Sequence, residues 1–165
     1  MVRRDPLAQP EPLIRRVYAY AAYRMGDGPD AEDVTSETFE RAVRYADSYD
    51  ARKGEPIAWL LGIARRCVDQ HLVGRAPRTH GDDVAAAGDL ESDTIRRIEV
   101  RAAVAQLGER DRELIALRYG ADLAAREIGE LLGLKTNTVD VALHRALGRL
   151  RSLLEEEPEA ASSAL

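Results

Sequence analysis

The sequence predicts an all-α protein made of two small helical domains joined by a flexible acidic linker. Three observations carry this expectation. Apolar residues recur at three-and-four spacing along most of the chain, no stretch alternates with period two, and a Gly-, Pro- and acid-rich run interrupts the pattern near the middle. The length of 165 residues allows one ordinary domain or two small ones. Aromatic residues make up only 5% of the chain, with Phe39 and Trp59 the sole Phe and Trp. Several small cores of Leu, Ala and Val are therefore expected rather than one aromatic-centred core.

The first helix is expected over Leu13 to Met25, with Leu13, Val17, Tyr18, Ala21, Ala22 and Met25 on one face. Gly26, Gly28 and Pro29 end it. Asp30 is a candidate N-cap for the second helix, whose early acids Glu32, Asp33 and Glu37 suit the helix dipole. That helix is expected to bury Val34, Thr38, Phe39, Ala42, Val43 and Tyr45. Residues 47–54 read as a loop, and Pro56 stands where a first-turn proline is tolerated. The third helix carries Trp59, Leu60, Ile63, Ala64, Cys67, Val68 and Leu72, with Trp59 expected in the core. Beyond the acidic run, helical spacing resumes at about Thr94 through Ile95, Ile98, Val100, Val104 and Leu107, closed by Gly108. A short helix over Asp111 to Tyr119 follows, then Ala124 to Leu132, stopped by Gly133. The last helix runs from Asn137 to about Leu154 with Thr136 as its N-cap.

The net charge of -5 argues against a uniformly cationic nucleic-acid surface. Its distribution argues differently. Residues 57–80 hold Arg65, Arg66, Arg75 and Arg78 against Asp69, and residues 134–151 hold Lys135, Arg145, Arg149 and Arg151 against Asp140. Two basic clusters in an acidic chain are consistent with phosphate-contacting surfaces. One cysteine excludes an internal disulfide and a Cys-based zinc finger. Cys67, His71 and His80 could be imagined as metal ligands, but three groups without a fourth partner favour a buried structural thiol, and no metal is expected. No carboxylate is paired with a nucleophile or a glycine-rich phosphate loop, so neither enzyme activity nor a cofactor is expected. No apolar run approaches the roughly 20 residues that cross a bilayer. The N-terminal MVRRDPLAQPEP lacks the apolar stretch of a signal peptide, so the expectation is a cytoplasmic protein without membrane insertion of its own.

The sharpest local pattern is AAREIGELLGLKTNTV, residues 124–139. An amphipathic helix, a glycine turn and a second capped helix make a helix-turn-helix, with Ile128, Leu131, Leu134 and Val139 as its packing residues. The second helix would present its N-terminal end to a major groove.

Here the chain resembles the extracytoplasmic-function (ECF) sigma factors of the sigma-70 family. DAEDVTSETF (residues 30–39) is similar to their acidic helix in region 2, with Ser36 where Gln is usual. AWLLGIARR (residues 58–66) is similar to the run that follows, with Arg66 where Asn is common. Leu107 to Arg112 resembles the opening of region 4, and Thr138-Val139 with His144 through Arg151 its recognition helix. The resemblance covers about residues 13–154. It implies region 2 over 10–75, a linker over 76–93, region 4 over 94–155 and a disordered tail over 156–165.

The resemblance further implies partners and roles. Asp33, Glu37 and Phe39 would bind core RNA polymerase at the coiled coil of its largest subunit, and region 4 would meet the β flap. Arg52, Lys53, Trp59, Arg65 and Arg66 would face the minus-ten element and hold a flipped base and its backbone. Lys135, Thr136, Asn137, Thr138, Arg145 and Arg149 would meet the minus-thirty-five element. The acidic linker would run through positively charged channels of the polymerase, and an anti-sigma factor is an expected partner. Asp140-Val141-Ala142 depart from the Lys, Ser and Arg common at these positions, which weakens phosphate attraction. Two other functions fit parts of the sequence: a stand-alone helix-turn-helix regulator, and a helical adaptor that binds polymerase or an anti-sigma factor without reading promoters.

Overall fold

The computed structural model describes residues 4–73 and 92–162, with side chains to Glu156. Most of the acidic linker, with Arg75, Arg78 and His80, lies outside the described residues. Among those described there is no strand. The helices are α1 (Pro10–Met25), α2 (Pro29–Arg44), α3 (Pro56–Leu72), α4 (Ser92–Gln106), α5 (Glu109–Ile115), α6 (Ala125–Leu132) and α7 (Thr136–Ser162). A 3-10 turn at Ala46–Ser48 follows α2, and a π-helical turn at Ala116–Gly120 extends α5.

Helix starts depart from the expected caps in a consistent way. Pro10, Pro29 and Pro56 each open a helix, because a fixed φ and a missing N–H cost nothing in the first turn. Asp30 is therefore not the N-cap of α2: Gly28 holds that position, and Asp30 falls inside the first turn. Thr136 likewise lies within α7 rather than before it, and α7 continues to Ser162, past the point where the apolar spacing stops.

The expected burial holds for most positions and fails at identifiable ones. Val43 and Tyr45 are exposed at the end of α2, where Ala42 fills the core side of the last turn. Ile95 and Ile98 are exposed because the first two turns of α4 stand clear of the core. Trp59 is half-buried rather than core, its ring 5.5 Å from that of Tyr49.

The main apolar cluster does not respect the two halves. Val17, Tyr20, Ala21, Leu60, Leu61 and Ala64 from α1 and α3 join Leu114, Leu117, Leu123 and Ile128 from beyond the linker. A second, smaller cluster sits under α4, α5 and α7 around Val104, Leu107, Ile115, Ala146 and Leu150. The two halves thus share one core, where separate small cores were expected from the sequence.

Polar contacts also cross between the halves. Arg16 donates through Nε to the Ala121 carbonyl at 2.7 Å and through Nη2 to that of Asp122 at 3.1 Å. Asp27, in the turn between α1 and α2, accepts from the Tyr18 hydroxyl and pairs with Arg101 of α4 at 2.5 Å. The Tyr18 hydrogen bond, helped by Arg101, holds the Asp27 carboxyl below its ordinary value of 3.8. A carboxylate depressed in the folded state adds stability above its unfolded pKa and loses it as pH falls through the folded value. Asp27→Asn is accordingly expected to lower the denaturation midpoint at pH 6 and to matter much less at pH 3. An equal effect at both pH values in urea titrations would contradict this coupling.

Candidate nucleic-acid interface

The helix-turn-helix is built by local chemistry. Glu127 reaches back to accept the Ala124 N–H at 3.1 Å and so starts α6. Gly133 ends it in the left-handed region (φ 71°, ψ 33°), which glycine adopts without a Cβ penalty. Gly129 lies against the turn: a Cβ there would fall 2.6 Å from the Leu134 carbonyl oxygen, and Leu134 N–H closes the turn onto the Gly129 carbonyl at 2.8 Å. Ile128 and Val139 are fully buried, while Leu131 and Leu134 are half-buried against them.

This leaves the start of α7 in solvent. Lys135, Thr136, Asn137 and Thr138 are all exposed, as are Arg145 and Arg149 further along. Asn137, Thr138, Val141, Ala142, Arg145 and Arg149 line a shallow groove of about 410 Å³ together with Arg110 and Asp111 of α5. Asp111 accepts from Arg149 at 2.6 Å. Four of the six residues predicted from the recognition helix therefore share one concave surface, with donors and acceptors able to meet base edges or phosphates. The sequence did not point to Arg110 and Asp111.

The other predicted surface lies around the loop before α3. Tyr49 donates its hydroxyl to the Gly54 carbonyl at 3.0 Å and tilts its ring against Trp59. Burial raises the Tyr49 hydroxyl above its ordinary pKa. Lys53 is exposed at the loop tip, and Arg52 beside it is fastened to Asp50 through Nε (3.1 Å) and Nη2 (3.2 Å). That pairing holds the Asp50 carboxyl below its usual range. Arg66 is exposed on α3. Arg65 beside it is half-buried, and its Nε donates to Glu113 of α5 at 2.7 Å.

Glu113 is the group that sequence reasoning missed. It is nearly buried and also accepts from the Tyr20 hydroxyl (2.9 and 3.1 Å) and from Arg24. Burial, then the Glu113 charge, pushes the Tyr20 hydroxyl well above its ordinary pKa. For Arg24, Tyr20 and Glu113 outweigh the opposing effect of burial and raise the guanidinium further. The one sequence hint was the spacing of Tyr20 and Arg24, which sets both on one face of α1.

On α2, Asp33 is exposed, Phe39 is half-buried against the main core, and Glu37 is half-buried. Glu37 accepts from Arg41 at 2.5 Å and lies 3.5 Å from His71. Cys67 is fully buried, and burial raises its thiol pKa. His71 thus faces Glu37, and among the described residues no group of three His, Cys, Asp or Glu could hold a metal. No described helix is long and apolar enough to cross a membrane.

Comparison with known proteins bears on these surfaces. Residues 11–78 match the model of Sigma-70 region 2, and residues 97–150 match that of Sigma-70, region 4. The chain is 32% identical over 150 residues to the ECF RNA polymerase sigma factor SigK of Mycobacterium ulcerans, covering 85% of this chain and 80% of the relative. It is 27% identical over 158 residues to the ECF RNA polymerase sigma factor SigW of Bacillus subtilis, covering 86% and 84%. Its fold is similar to that of the sigma factor RpoE solved in complex with the anti-sigma factor NepR from Bartonella quintana. That likeness has a TM-score of 0.67 at 22% identity and covers 87% of this chain and 92% of that one. With both sigma modules matched in order along one chain, this protein belongs to the extracytoplasmic-function sigma factors of the sigma-70 family.

Proposed function

We infer that this chain is a promoter-recognition subunit of RNA polymerase: it binds the core enzyme, directs it to minus-ten and minus-thirty-five elements, and promotes DNA opening. One observation carries this above all. Two solvent-accessible surfaces suited to nucleic acid, an aromatic and cationic loop before α3 and the groove of α7, stand one on each matched sigma module.

The chemistry of each surface suggests its task. Opened DNA offers unstacked bases and a single-stranded backbone. The Tyr49–Trp59 pair can give a base a stacking wall, with Lys53, Arg52, Arg65 and Arg66 close in sequence as backbone cations, Arg65 exchanging Glu113 for a phosphate. Arg52 would exchange Asp50 for a phosphate on binding. In the α7 groove, Asn137 and Thr138 would meet base edges while Lys135, Arg145 and Arg149 would hold phosphates. Arg149 would trade its bond to Asp111 for one to DNA. Asp140 and Val141 are exposed and Ala142 is half-buried on the same helix, so fewer cations serve this contact than the family pattern provides.

Asp33, Glu37 and Phe39 on α2 would form the surface for the polymerase coiled coil, and region 4 would reach the β flap. The chain itself catalyses nothing in this scheme and needs no cofactor. It would act in the cytoplasm, where its DNA lies. The solved relative bound to NepR supports an anti-sigma factor as a further partner.

The test adds the purified chain to core polymerase lacking any sigma factor, with run-off transcription from candidate promoters as readout. Promoter-dependent transcripts are expected. Core binding without open complexes would favour an adaptor, and tight specific binding to duplex DNA by the chain alone would favour a stand-alone regulator.

A further inference from the structure

We propose that Val141 of α7 is a specificity residue that reads the 5-methyl group of a thymine in the minus-thirty-five element, within about two base pairs of an adenine read by Asn137. The proposal deepens the promoter-recognition function above and rests on it.

The observation is an apolar side chain set into a polar reading face. Val141 is 44% exposed and lines the α7 groove, with Asn137 one turn before it and Arg145 one turn after it. Asn137, Val141, Arg145 and Arg149 are spaced by four, so they form one ridge of the helix, and all four line the groove. The half-buried Ala142 adjoins Val141 in the same lining. Asp140 is exposed but does not line the groove, so its charge stands aside from this contact.

A single exposed valine is ordinary on a protein surface. Its setting here is not. A β-branched residue lowers helix propensity, so an exposed one near the start of α7 does nothing for the helix that alanine would not do better. Its use lies in what the groove receives.

The ridge divides by chemistry. Arg145 and Arg149, with Arg110 of α5 on the same groove, supply guanidiniums for phosphates, which position a duplex without reading it. Asn137 and Val141 occupy the N-terminal half, the part of a recognition helix that meets base edges. An Asn amide pairs with the N6 and N7 edge of adenine, and the one apolar group that the major groove displays is the thymine methyl. Valine neither donates nor accepts a hydrogen bond, so a guanine or cytosine edge set against it is left unpaired. Four residues of helix rise about 6 Å while successive bases step about 3.4 Å, which sets the adenine and the thymine within about two pairs of each other.

The experiment uses the full chain bound to core polymerase. Binding selection from promoters randomised over the minus-thirty-five element gives the preferred sequence. Each thymine in it is then replaced by deoxyuridine, which removes only the 5-methyl group, and affinity is read by fluorescence anisotropy. One such replacement, close to a selected adenine, is expected to weaken wild-type binding about fourfold, the worth of burying one methyl-sized group. Val141→Ala should lose a similar factor on the thymine promoter and no longer distinguish thymine from uracil. Val141→Ile should keep the distinction. Circular dichroism confirms that both variants stay helical. A selected element without thymine, affinity indifferent to every uracil replacement, or methyl dependence that survives Val141→Ala would each overturn the proposal. Run-off transcription separates the two levels. With transcripts intact, any of those results removes only the role of Val141; with no promoter-dependent transcript and no selected sequence, promoter recognition itself falls and takes the assignment with it.

Discussion

Reversing Arg65 and Arg66 together to Glu is expected to abolish open-complex formation while leaving core-polymerase affinity within about twofold. Charge-assisted hydrogen bonds are worth roughly 1.5–3 kcal/mol each, so losing two exceeds a hundredfold even before repulsion from the new acids is counted. The residues proposed to face polymerase lie on α2, a different helix, which is why core binding should survive. The single variants should differ in an informative way. Arg66 is exposed, so Arg66→Glu acts on DNA alone, whereas Arg65→Glu also places a second acid against Glu113 and drives the modules apart. Permanganate reactivity of the melted strand and polarisation of labelled core are the two readouts. Normal promoter opening by the double variant would remove both residues from the DNA-facing surface.

Gly129→Val is expected to destabilise the second module by about 2–3 kcal/mol and to eliminate minus-thirty-five-dependent promoter binding. The added Cβ would lie 2.6 Å from the Leu134 carbonyl oxygen, and a backbone atom inside a tight turn cannot rotate away as a side chain could. Accommodating it means prising α6 from the start of α7, which also breaks the Leu134 N–H bond to the Gly129 carbonyl. Asn137 and Thr138 would then lose their placement in the groove. Gly148→Ala makes the control, since nothing lies within 4 Å of its Cβ and α7 is helical there. That variant is expected to gain about 0.5–1 kcal/mol in a urea titration. A stable, promoter-binding Gly129→Val protein would mean that the turn is set by other contacts.

Much of the candidate site is legible in the amino-acid sequence. The helix-turn-helix can be found there because its glycines and apolar positions act on neighbours a few residues away. The exposure of Lys135 to Thr138 follows from the burial of Ile128 and Val139 on either side of the turn. Misjudged positions have a common cause. Val43, Tyr45, Ile95 and Ile98 sit at helical spacing that predicts burial, yet their side chains stand clear of the core. Asp30 has the right chemistry for a cap, but Pro29 before it already opens the helix.

Helix periodicity, proline and glycine placement and charge clustering are local, so the sequence by itself determined the all-α class, the order of the two sigma modules and the basic face of α7. Only the tertiary structure decided that the modules share a core and which cations are engaged within it. Tyr20, Arg24 and Arg65 lie 93, 89 and 48 positions from Glu113. No local signal links groups so far apart. Their meeting depends on how closely α1 approaches the π-turn, and the missing side chain of Gly120 sets that distance.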